Sequence, residues 1–151
     1  MTTKCWPNRA DDVEKAFMES LEKLGLEYVD LYLLHWPHHE EKTLPLHKVW
    51  PQFEALVKKG LVKSIGVSNM GFQLLADLLL YAEIKPVCNQ IELHPLNPQV
   101  ELVRYLKDQN ILPVAYCPIV RPTGGRDAEG QDLVKNELIL SLADKYKKSP
   151  V

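Results

Sequence analysis

Apolar residues along this chain follow two alternating rhythms, short near-continuous runs and longer stretches at helical spacing. Thr2, Thr3 and Lys4 read as the tail of a short strand. Asn8 can then cap a helix in which Val13, Ala16, Phe17, Leu21 and Leu24 form one apolar stripe, and Gly25 stops it as a C-terminal glycine does. Tyr28 to His35 is nearly unbroken hydrophobe, as a parallel strand buried on both faces requires. Leu46 to Lys59 has the helical pattern. Pro51 fits only a first turn, however, so the predicted start is near Trp50, with Gly60 as the end.

The cycle then repeats. Val62 to Val67 is a predicted strand, and Gly71 to Ala82 a helix that Asn69 could cap. Val87 to Ile91 is a strand, and Asn97-Pro98 opens a helix carrying Val100, Leu102, Val103 and Leu106. Ile111 to Tyr116 is a fifth strand, a Pro- and Gly-rich loop covers Cys117 to Gly130, and a last helix runs from about Asn136 to Lys147. The predicted strand ends Lys4, His35, Val67, Ile91 and Tyr116 are 31, 32, 24 and 25 residues apart. That is the spacing of successive βα units with all strands parallel. Two α/β architectures fit: a five-stranded doubly wound sheet, or part of a (β/α)8 barrel. A doubly wound nucleotide binder should carry a Gly-rich turn after an early strand. Gly124-Gly125 comes late and has no such flanks.

Composition narrows the function classes. The 151 residues are 46% apolar and 25% charged, ordinary globular proportions that predict one domain. With 18 basic against 20 acidic residues, the net charge of -2 gives no electrostatic case for nucleic acid or an anionic membrane. Apolar runs such as Leu78–Tyr81 fall far short of the ~20 residues a spanning helix needs. The opening Met-Thr-Thr-Lys-Cys-Trp has no apolar signal region. Cys5, Cys88 and Cys117 are an odd set without a C-x-x-C pair, which points to a reducing, cytoplasmic setting.

The polar residues favour the barrel. Lys4, His35-Trp36, Ser68-Asn69, Gln90 with Glu92, and Tyr116 each stand at a predicted strand end or just past it. That is where parallel barrels place catalytic groups. Singly, each has an ordinary structural reading: a solvated lysine, a rim histidine, an N-cap, a packing tyrosine. Structural roles would scatter them, and these five sets share one end. Together they suit hydride transfer to a carbonyl. Ser68 and Asn69 can donate to a nicotinamide carboxamide oxygen, the Gln90 oxygen can accept from its amide, and Tyr116 can stack on the ring. His35 offers an N–H to polarise a substrate carbonyl, Lys4 can depress a neighbouring acid's pKa, and Trp36 supplies an apolar wall.

Four segments resemble motifs of the aldo-keto reductases: Leu26 through Pro37, Lys63 through Asn69, Asn89 through Pro95, and Ala115 through Ile119. The resemblance covers essentially the whole chain. It implies that residues 1–151 are the central portion of a (β/α)8 TIM barrel, about five parallel strands alternating with helices. It implies reduction of aldehydes or ketones to alcohols with NADP(H), NAD(H) being the alternative. By that likeness Lys4 and His35 match catalytic positions, Ser68, Asn69 and Gln90 the carboxamide ligands, Tyr116 the stacking ring and Trp36 a substrate-pocket wall. Cys117 and Ile119 fall in the cofactor's pyrophosphate loop, where the family usually has serine and leucine; a thiol is the weaker donor. Met70 stands where phenylalanine is usual.

The family's catalytic tyrosine and aspartate would precede the strand ending in Lys4, and its eighth strand would follow Val151. The expectation is therefore a truncated, incomplete barrel domain with unpaired edges at Thr2–Lys4 and Ile111–Tyr116, self-associating through them and inactive alone. Two other functions compete. A non-catalytic relative would bind cofactor or a partner without turnover. A metal-dependent hydrolase is suggested by His35, His38 and His39, but Pro37 breaks helical pairing and Glu40-Glu41 reads as solvated loop, so no metal is expected.

Overall fold

A computed structural model describes residues 1–39, 42–120 and 133–150. Glu40-Glu41 and most of the Pro- and Gly-rich loop, Gly124-Gly125 included, lie outside the described residues. The chain forms two compact units, residues 1–91 with 101–114, and residues 92–100 with 115–151.

The strands are β1 (Thr2–Cys5), β2 (Val29–Leu34), the two-residue pair β3 (His38–His39) and β4 (Lys42–Thr43), then β5 (Val62–Ser68), β6 (Cys88–Glu92) and β7 (Leu112–Tyr116). The main sheet has the order β1-β2-β5-β6-β7, with β1–β2, β2–β5 and β5–β6 parallel. Each strand is thus added beside its predecessor. A doubly wound sheet reverses direction at a switch point, and a barrel does not. The order therefore excludes the doubly wound alternative. The β3–β4 pair is antiparallel, a small hairpin that the sequence pattern did not announce.

The helices are α1 (Val13–Leu24), α2 (Leu46–Lys58), α3 (Phe72–Tyr81), α4 (Val100–Asp108) and α5 (Glu137–Tyr146). In the first unit the aromatic packing lies on one sheet face: the fully buried Tyr32 meets the rings of Phe17 on α1 at 4.9 Å and Phe53 on α2 at 5.2 Å. In the second unit α5 is capped by Asn136, whose side chain accepts from the N–H groups of Leu138 and Ile139.

Three predicted helix starts move. Asn8 sits inside a 3-10 turn (Pro7–Arg9), and Asp12 caps α1 instead, its carboxylate accepting from the Lys15 N–H at 3.0 Å. Proline at position 7 presets that turn, which displaces the cap by four residues from Asn8 to Asp12. Helix α2 begins at Leu46 rather than near Trp50, leaving Pro51 in its interior. An internal proline costs about 3 kcal/mol, but burial of Leu46, Val49, Trp50, Phe53 and Leu56 returns about 1.5–3 kcal/mol per large side chain. Asn69 is not a cap either. Gly71 holds the position before α3, and Asn69 adopts a left-handed conformation with φ 56°.

Gly66 is where the sheet cannot take a side chain. A Cβ there would stand 2.7 Å from Leu33 Cδ2 and 2.9 Å from both the Cys88 carbonyl oxygen and Sγ. Two of the three obstacles belong to one residue of the neighbouring strand, and one of them is backbone. Gly66→Ala should therefore destabilise the protein by about 1–3 kcal/mol in urea unfolding. An unchanged midpoint would show that β2 and β6 are not held this closely.

Candidate active site

Strand register decides which side chains meet. Partners across a parallel ladder share a face, and side chains alternate along each strand. Lys4 pairs with Leu33, Leu33 with Gly66, and Ser68 with Gln90. The ladder runs one residue further at the end of β2, where the His35 N–H donates to the Cys5 carbonyl at 3.0 Å. Lys4, His35, Ser68 and Gln90 consequently lie on one face, opposite Tyr32 and its packing against α1 and α2. Four of the predicted site residues from four strands are thus brought together.

The backbone ends are tied by a small polar network. Ser68 Oγ donates to the Gln90 carbonyl at 2.7 Å, and the Asn69 N–H donates to the same oxygen at 2.9 Å. Asn69 Nδ2 donates to the His35 carbonyl at 3.0 Å and to Ser68 Oγ at 3.2 Å. The two residues expected to point donors at a ligand therefore spend donors on each other and on the ends of β2 and β6. Gln90 differs: its backbone oxygen is used, while no hydrogen bond among the described residues employs its side chain.

His35 is held in an aromatic corner. Its ring lies 4.3 Å from that of Trp6, tilted by 55°, and 6.5 Å from that of Trp36. Its Nδ1 is buried with no hydrogen-bond partner among the described residues. Burial first, and the Lys4 ammonium second, lower the His35 pKa below its ordinary 6.5. The ring is therefore a neutral hydrogen-bond donor at neutral pH. Beside it, Trp6, Pro7, Asn8, Trp36, His38 and His39 line a cavity of about 410 Å³. Trp6 is a pocket wall that the sequence reading missed; its position two residues past Lys4, at a strand end, was the available signal. Asn89, fully buried, was also missed. It sits on the helix-facing side of β6, and an asparagine inside a strand is itself unusual.

Among the described residues, no three His, Cys, Asp or Glu side chains gather as a metal ion would require. His38 and His39 lie in the hairpin, paired with Thr43 and Lys42. Among the described residues, no helix is long and apolar enough to cross a membrane.

The remaining predicted site residues belong to the second unit. Tyr116 and Ile119 are half-buried, and the Tyr116 carbonyl accepts from the Leu93 N–H at 3.4 Å. Cys117 is left-handed at φ 48°, in a turn closed by the Val120 N–H on its carbonyl at 2.8 Å. Glu92 turns to His94, its Oε1 3.3 Å from Nε2, while the side chains of Asn97 and Gln99 both donate to its carbonyl.

Known proteins are similar to this chain in sequence and in fold. Aldose reductase C of Dictyostelium discoideum is 39% identical over 98% of this chain and 51% of its own length. The solved aldose reductase of Schistosoma japonicum superposes with a TM-score of 0.84 at 34% identity, covering 99% of this chain and 52% of that one. The Giardia lamblia aldose reductase structure gives 0.82 at 35% identity, covering 99% and 54%. The chain spans about half the length of the relatives it matches, so its sheet is part of a (β/α)8 barrel. A sequence model of the Aldo/keto reductase family matches residues 1–133, most of the chain, and the chain belongs to that family.

Proposed function

We propose that residues 1–151 form part of a reductase barrel domain that reduces small aldehydes and ketones to alcohols with NADP(H) as hydride donor. NAD(H) is the alternative cofactor. The observation that carries this reading is the single sheet face on which Lys4, a neutral His35, Ser68 and Gln90 stand together. The donor set fits a nicotinamide. A carboxamide needs a donor for its oxygen and an acceptor for its nitrogen, and the Gln90 side chain offers both, unused by any described residue. Ser68 and Asn69 reach the carboxamide by exchanging one of their present bonds for it. By the family resemblance, Tyr116 would stack on the nicotinamide ring, and Cys117 and Ile119 would hold the pyrophosphate.

When bound, a nicotinamide would supply the hydride, and the protein's own groups would orient the acceptor. The His35 N–H polarises the substrate carbonyl, while Trp6 and Trp36 wall the substrate's apolar body. The Lys4 ammonium makes no hydrogen bond or ion pair among the described residues, which leaves its charge to act on a neighbouring acid. The developing alkoxide also needs a proton. A neutral imidazole with a depressed pKa is a poor acid. The described face thus holds the orienting groups and no evident proton source. This favours a second reading for the 151-residue polypeptide by itself: it binds cofactor, or a second copy across its strand edges, without turnover. Cys5, Cys88 and Cys117 are free thiols, which supports a cytoplasmic setting.

Gln90→Ala and Tyr116→Ala should each weaken NADPH binding, followed by nucleotide fluorescence. Loss of the ring should cost ~1–3 kcal/mol, the scale of base–aromatic stacking. Affinities equal to the unsubstituted chain would remove both residues from the cofactor site.

The 151-residue chain should not oxidise NADPH with 4-nitrobenzaldehyde at an enzyme's rate, a positioned acid being worth ~10²–10⁴-fold. Fast turnover abolished by His35→Ala would make His35 the acid and overturn this assignment.

A further inference from the structure

Asn69 carries an unusual burden, and its support comes from a residue outside the expected site. Asparagine tolerates the left-handed region better than most residues, but at φ 56° Asn69 still holds a sparsely populated conformation that its surroundings help to keep. On its N-terminal side the enforcement is visible: Ser68 Oγ and the Asn69 N–H both bond the Gln90 carbonyl. On its C-terminal side stands Met70, fully buried. Buried backbone N–H and C=O groups need partners. Both of Met70's are taken by one side chain, for Asn89 Nδ2 donates to the Met70 carbonyl at 2.7 Å and Asn89 Oδ1 accepts from the Met70 N–H at 3.4 Å.

We propose that Asn89 is a positioning residue for the nicotinamide carboxamide site, acting through the Met70 backbone to hold Asn69 left-handed over the strand ends. The inference rests on the cofactor reading above. Asn89 touches no ligand itself: Val67 pairs with Asn89 and Ser68 with Gln90, so Asn89 and Gln90 point to opposite faces of β6. The strand therefore uses two consecutive amides for two tasks. Gln90 faces the ligand, and Asn89 reaches behind to fix the turn that carries the other ligand groups. An aliphatic residue at position 89 would fill the space and leave the two Met70 groups unpaired. The turn would then open toward water, and Asn69 would relax out of its left-handed well. Its Nδ2 bond to the His35 carbonyl would go with it.

Two readouts on the full chain test this. Without cofactor, amide hydrogen exchange at Asn69 and Met70 should accelerate at least about tenfold in Asn89→Ala, while Val29 and Ile65 in the buried strands keep their protection. With NADPH, Asn89→Ala should weaken binding about fivefold or more in the native background and change nothing in an Asn69→Ala background, the non-additivity expected of one residue acting through another. If Asn89→Ala does not fold, Asn89→Thr, β-branched and suited to a strand, removes the two-point clasp and carries the same expectations. Unchanged exchange at Asn69 and Met70, or additive losses in the two backgrounds, would overturn the inference. If the native chain bound no NADPH, the cofactor reading would fall, and the exchange measurement would still decide whether Asn89 holds Asn69.

Discussion

The carbonyl oxygen of Gln90 is the point on which the site depends. It accepts from Ser68 Oγ and from the Asn69 N–H, so the ends of β5 and β6 are joined where regular ladder bonding stops. From the same turn Asn69 Nδ2 reaches the His35 carbonyl and joins the end of β2. Strand ends ordinarily fray, because their outermost polar groups have water as an equal partner. Here three of them are fastened within a few residues. The side chains they carry are thereby held on one face with little freedom to separate, which is the preorganisation the proposed hydride transfer requires.

Electrostatics follows from that geometry. The sheet sets Lys4 beside the strand that ends in His35, and Trp6 closes over the imidazole at 4.3 Å. A cation and an apolar wall both disfavour the imidazolium. The histidine is tuned toward donating a hydrogen bond, and away from giving up a proton. That division of labour makes the proton source a separate question from the orientation of the carbonyl.

Much of this was legible in the sequence because it follows from periodicity. Continuous hydrophobe at Tyr28–His35 and regular spacing of strand ends announced parallel strands, and the polar residues standing at those ends marked one end of the sheet. What was not legible is what depends on competition between partners. Asn69 precedes a helix and has the chemistry of a cap, yet its backbone is worth more as a bridge between strands, and Gly71 takes the capping position. Pro51 should have started a helix, yet the apolar side chains before it had burial to gain. The short hairpin at His38–His39 and Lys42–Thr43 has no hydrophobic pattern to betray it. Asn89 was invisible for a different reason: a side chain serving a neighbouring backbone leaves no trace in spacing.

If the face shared by Lys4, His35, Ser68 and Gln90 receives a nicotinamide through the side-chain amide of Gln90, binding must change the surroundings of that amide. Nuclear magnetic resonance of the Gln90 side-chain NH₂ during titration with NADPH addresses it most directly. This resonance should shift in step with saturation, together with the Asn69 side-chain amide, whose bonds must rearrange. A Gln90 side-chain signal that stays in place at saturating NADPH would contradict it.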